Sequence, residues 1–146
     1  MQLSTYFSLE ELTFSSTGAR LGIDNTPSQE IIDNLKNLAI YVLDPIRILI
    51  GVPIHIDSGY RCPELNAAVG GASNSQHLEG KAADMIVPGH TVLNINRIIK
   101  NPSLNIPFDQ LINEYGRWNH VSYNGAQVRK ECLKINTGTG YLPDPD

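Results

Sequence analysis

Basic residues are sparse in this chain and nowhere clustered. Eleven Lys and Arg face fifteen Asp and Glu, a net charge of −4 over 146 residues. Phosphate neutralisation needs a concentrated Lys/Arg surface, so nucleic acid is excluded as a partner. No apolar run reaches the ~20 residues of a membrane span, so no membrane association is expected. Met1-Gln2-Leu3-Ser4-Thr5 lacks a positive segment followed by an apolar stretch, so no signal peptide is expected. The chain is therefore expected to be made in the cytoplasm; action on anything outside would need lysis or a partner. There are only two cysteines, Cys62 and Cys132, and they are not spaced as a zinc knuckle. Without an export signal, two free thiols are expected rather than a disulfide.

What is present is enough for one core. Hydrophobic residues make up 41% and charged residues 18%, the balance of a folded domain rather than a disordered chain. There is no internal repeat. One domain over 1–136, acting as a monomer, is expected, with 137–146 a flexible tail, because Thr137 to Asp146 is rich in Gly, Pro and acid.

Ser8 and Glu11 form a capping-box pair for a short helix within 6–14, with Phe7 and Leu12 placed as a hydrophobic staple. Loop is expected from there to Asn25. Thr26, Pro27 and Gln29 read as cap, first turn and second capping box of a long helix. Its apolar positions (Ile31, Ile32, Leu35, Leu38, Ala39, Val42, Leu43, Ile46) recur at helical spacing. Pro45 should kink it, and Gly51 should end it. Val52 to Asp57 reads as a strand, Pro63 to Ala68 as a short helix, and Ala82 to Val87 as a buried strand. Thr91 should cap a helix to Lys100. Phe108 to Glu114 and Trp118 to Tyr123 read as a hairpin about Tyr115-Gly116-Arg117, with a third antiparallel strand within 127–133. Helices first and a mostly antiparallel sheet after them give an α+β class.

The chemistry concentrates in Ser75-Gln76-His77-Leu78-Glu79-Gly80-Lys81-Ala82-Ala83-Asp84. Gly80 can adopt angles that turn the chain back, bringing Asp84 toward His77. A third ligand is offered by His120 in Trp118-Asn119-His120. Two imidazoles and a carboxylate, with a position left for water, suit a catalytic zinc ion. His55 and His90 lack such surroundings and are left out of the site.

Ser75-x-His77-x-x-Gly80-x-Ala82-x-Asp84 resembles the signature of the zinc D-Ala-D-Ala carboxypeptidase-like family, peptidase family M15, which includes phage endolysins. Ser58-Gly59-Tyr60-Arg61, with Pro63, Leu65 and Asn66, is similar to the segment preceding that signature, and Trp118-Asn119-His120 to the segment carrying the last ligand. The resemblance covers roughly 35–123. It implies a D-Ala-D-Ala carboxypeptidase/Hedgehog-like zinc peptidase fold, a small antiparallel sheet with N-terminal helices packed on it. It also implies one zinc ion (Zn2+) on His77, Asp84 and His120. The substrate it implies is a peptidoglycan stem or cross-link peptide containing D-amino acids, and it gives Arg61 the role of stabilising the oxyanion.

The chain departs from the family at one point. Many members carry an acid three residues before the last histidine; here that position is Arg117, which cannot accept a proton. Glu114, carried beside His120 by a tight hairpin, is the leading general base. Asp109, or no competent base, are the alternatives. Ser75, Gln76, Tyr60 and Trp118 are placed as substrate contacts or as supports of the site; a turn-forming Ser75 and a core Trp118 are the plainer readings. Three functions compete: a zinc peptidase, a non-catalytic binding module on the same scaffold, and a structural zinc completed by His55 or Cys62.

Overall fold

The computed structural model describes all 146 residues. Six α-helices and six strands follow one another along the chain as α1 Leu9–Thr13, α2 Ser16–Leu21, α3 Gln29–Leu38, α4 Asp44–Ile50, β1 His55–Ser58, α5 Pro63–Ala68, β2 Ala82–Ile86, α6 Val92–Lys100, β3 Gln110–Glu114, β4 Trp118–Ser122, β5 Glu131–Ile135 and β6 Leu142–Pro143. The strands form one sheet in the order β1-β2-β4-β3-β5-β6. The class is α+β, as the order of patterns along the sequence implies.

Local signals set α1. The Ser8 side chain accepts from the Glu11 N–H, and Glu11 answers with the Ser8 N–H, a complete capping box. Phe7 and Leu12 are both buried. The long helix starts two residues later than Thr26 suggests. Thr26 is held by the Asp24 carboxylate instead, and Ser28 caps α3 by accepting from Ile31 N–H.

The helix continues past Pro45 through five residues of π-helix, Ala39–Leu43. There the Asp44 N–H reaches back to the Ala39 carbonyl. This wider turn takes up the proline's missing donor without breaking the apolar stripe. Leu35, Leu38, Val42, Leu43 and Ile46 are fully buried. At about 1.5–3 kcal/mol per buried aliphatic side chain, the stripe outweighs the ~3 kcal/mol cost of an internal proline. Gly51 closes α4 at φ 77°.

Three expectations about elements need correcting. The stretch before Asn25 is not all loop: Ser15 caps α2 by accepting from Gly18 N–H. β1 occupies 55–58 rather than starting at Val52. The strand expected within 127–133 lies at 131–135 and runs parallel, not antiparallel, to β3. The tail, expected to be loose, is paired in part: Leu133 and Lys134 of β5 lie opposite Pro143 and Leu142 of β6.

Strand alternation divides the sheet into a core face and a working face. Ala83, Met85, Leu111 and Val121 belong to the main hydrophobic cluster with α3, α4 and α6. Their neighbours Asp84, Ile112, His120 and Leu133 occupy one continuous row, since Asp84 pairs with His120, His120 with Ile112, and Ile112 with Leu133. That row floors the cleft described next.

Candidate metal centre

His77 lies in a short 3-10 turn, Gln76–Glu79, capped at its start by Ser75, whose hydroxyl accepts from His77 N–H at 3.2 Å. Gly80 ends the turn at φ 70°. A Cβ there would fall 2.9 Å from Ile31 Cγ2 and 3.0 Å from the Ile31 carbonyl oxygen, so both conformation and space require glycine. The chain then enters β2, which delivers Asp84. His120 faces it from the neighbouring strand β4.

The three side chains converge. His77 Nε2 is 3.3 Å and His120 Nδ1 3.0 Å from the same oxygen, Asp84 Oδ1. One nitrogen or oxygen from each lies within 4.8 Å of the others, and all three residues are buried. His77 Nδ1 donates to the Gly59 carbonyl at 2.7 Å, which fixes the ring and leaves Nε2 as the free lone pair. Burial pushes the His77 imidazole pKa down, toward its neutral, ligating form. Burial raises Asp84, but His77 and His120 beside it outweigh that and hold the carboxyl well below the usual range. Two imidazoles and a carboxylate are a donor set that a catalytic zinc site uses, so these residues fit the ion.

Gly59 is held from behind by α1. The Leu12 carbonyl accepts the Tyr60 N–H at 2.8 Å, and a Cβ on Gly59 would lie 2.2 Å from that carbonyl oxygen. Gly59→Ala must therefore displace the backbone that orients His77. The expected outcome is metal affinity about 10–100-fold weaker, the usual cost of disturbing an outer partner, read by competitive zinc titration.

The cluster opens on a cleft of about 490 Å³. Glu114 and Arg61 both line it. The hairpin between β3 and β4 turns at Tyr115 (φ 60°) and Gly116 (φ 64°), and this brings Glu114 Oε1 to 3.6 Å from His120 Nδ1. Burial, then the Asp84 charge, push the Glu114 carboxyl above its usual value. The Arg61 N–H donates to the His77 carbonyl at 3.1 Å. Its guanidinium reaches the Ser75 hydroxyl at 3.5 Å, while Nε has no partner, so donors remain for a ligand. Arg117, in the hairpin turn, does not enter the cleft lining.

The supporting residues divide. Ser75, Gln76 and Trp118 line the cleft. Gln76 donates to Asp109 Oδ2 at 2.9 Å, and Trp118 stacks at a tilt on Tyr115, their ring centroids 5.9 Å apart. Tyr60 does not join them. It alternates away from Arg61 into the hydrophobic cluster, 8% exposed. Asp109, the alternative base, is committed elsewhere: its buried carboxylate takes Arg129 Nε at 2.7 Å and Nη2 at 2.9 Å. Neither residue named for a structural zinc is in the cluster. His55 is an exposed residue 4.0 Å from Asp57, and Cys62 caps α5 through its sulfur. Both cysteines are free thiols. Sequence reasoning missed Leu133 and Tyr141, which also line the cleft.

An α+β scaffold with a buried two-imidazole, one-carboxylate cluster, open on one side to a cleft that holds a carboxylate and a guanidinium, is the layout of a metal-assisted hydrolase. The chain belongs to the peptidase M15 family: the family model described as Peptidase M15 matches residues 5–122, which include every residue of that cluster, Glu114 and Arg61. No curated protein matches the chain. No helix is long and apolar enough to cross a membrane.

Proposed function

We propose that this chain is a zinc peptidase that hydrolyses D-amino-acid-containing bonds in the stem or cross-link peptides of peptidoglycan. The observation that carries this reading is the three-donor cluster His77, Asp84 and His120 with Glu114 and Arg61 at its open side. When bound by those three residues, zinc supplies Lewis acidity that activates water and polarises a peptide carbonyl near neutral pH.

The chain's own groups account for the rest. Glu114 takes a proton from the attacking water and delivers it to the leaving amine. Arg61 donates to the carbonyl oxygen as charge develops there, from a half-buried position where the interaction is less screened than in water. Ser75 holds both sides of the site, bonding His77 N–H and the Arg61 guanidinium. The position of Glu114 beside His120 favours this reading over a binding module on the same scaffold, since an acid is at hand despite Arg117.

Digestion of purified peptidoglycan followed by mass spectrometry of the products tests the proposal. Soluble fragments with new peptide termini are expected, lost on chelation and restored by zinc. Their masses distinguish removal of a terminal residue from an internal cut. Stem and cross-link peptides of unchanged mass after exposure to zinc-loaded protein count against the substrate assigned here.

A further inference from the structure

The last residues of the chain reach the cleft. Leu142 lies opposite Lys134, so Tyr141 falls at the level of Ile135, which in turn lies opposite Glu114. Tyr141 thus stands two strands from Glu114 on the same row, and its side chain lines the cleft. It is 57% exposed, so it does not pack the core. The segment is clasped just beyond it. The Asp144 N–H donates to the Cys132 carbonyl at 2.9 Å, and Lys100 Nζ donates to the Asp144 carbonyl at 3.0 Å. The Lys100 ammonium also lies 3.9 Å from the Asp144 carboxylate, with both side chains largely buried.

We propose that Tyr141 is a substrate-contacting residue whose hydroxyl hydrogen-bonds the peptide held in the cleft, and that the Lys100–Asp144 clasp positions it. A phenol is protonated at neutral pH, so the Tyr141 hydroxyl is available as a donor. The contact lies outside the residues matched to the family model. The proposal rests on the peptidase reading above.

Steady-state cleavage of soluble peptidoglycan fragments by the zinc-loaded full chain tests it. Tyr141→Phe is expected to raise KM about 3–10-fold with kcat nearly unchanged, the loss of one neutral hydrogen bond made in the ground state. Tyr141→Ala should raise it further. Lys100→Met should shift KM in the same direction, add little in the Tyr141→Ala background, and be largely rescued by Lys100→Arg. Zinc content should be equal in all variants. Wild-type KM in both Tyr141 variants, with the wild type active, overturns this proposal and leaves the peptidase reading intact. A wild type that cleaves no fragment overturns the substrate reading instead. Calorimetric titration of the same fragments then decides this proposal: weaker binding by Tyr141→Ala sustains it, and equal binding or none overturns it.

Discussion

His77→Ala is expected to yield a folded protein that binds zinc far more weakly and cleaves nothing. The residue is 2% exposed and contributes the only ligand from outside the sheet. Its loss leaves Asp84 and His120, one donor short of the three protein ligands that a catalytic zinc site uses. The fall in affinity should exceed the ~10–100-fold cost of disturbing an outer partner such as Gly59, because a coordinating atom is removed rather than misaligned. The Gly59 carbonyl also loses its partner, at a cost of about 1–3 kcal/mol if water cannot replace it. That is a tolerable loss for a domain whose main hydrophobic cluster lies on the other face of the sheet. Zinc titration, circular dichroism and fragment analysis of digested peptidoglycan together make the measurement. Normal cleavage by the variant would sink the metal-site assignment.

The sequence makes the His77, Asp84 and His120 cluster legible because its signals are local. His77, Gly80 and Asp84 sit within eight residues, and the turn that joins them needs only the left-handed glycine the structure contains. The hairpin that carries Glu114 back beside His120 is equally short. Capping signals located α1 and α6 for the same reason: Ser8 and Thr91 act on N–H groups three residues away. Errors arise where a distant partner decides. The parallel pairing of β5 with β3 depends on a crossover that periodicity does not encode, and Leu133 and Tyr141 reach the cleft only through that pairing. Adjacency in sequence does not place Tyr60 with Arg61: Arg61 lines the cleft, while Tyr60 joins the hydrophobic cluster. Pro45 signalled a kink, but the π turn that accommodates it follows from the need to keep Val42, Leu43 and Ile46 on the buried stripe.

Glu114→Gln separates binding of the metal from use of it. The substitution keeps the size of the side chain and its capacity to accept a hydrogen bond, but an amide cannot take up a proton. Zinc content should therefore match the wild type, since Glu114 is not one of the three converging donors. KM should change little and kcat should fall by about 10²–10⁴-fold, the range that a positioned general base contributes. The other nearby carboxylate offers no substitute. Asp109 is fully buried, bound by both Arg129 and Gln76, and held below the usual carboxylate range by those hydrogen bonds, which outweigh the effect of its burial. Arg117 cannot accept a proton either. Unchanged kcat in a zinc-loaded Glu114→Gln protein would mean that another group carries the proton. An inactive wild type with zinc in place would instead favour the binding-module reading, in which Glu114 and Arg61 hold a peptide without cutting it.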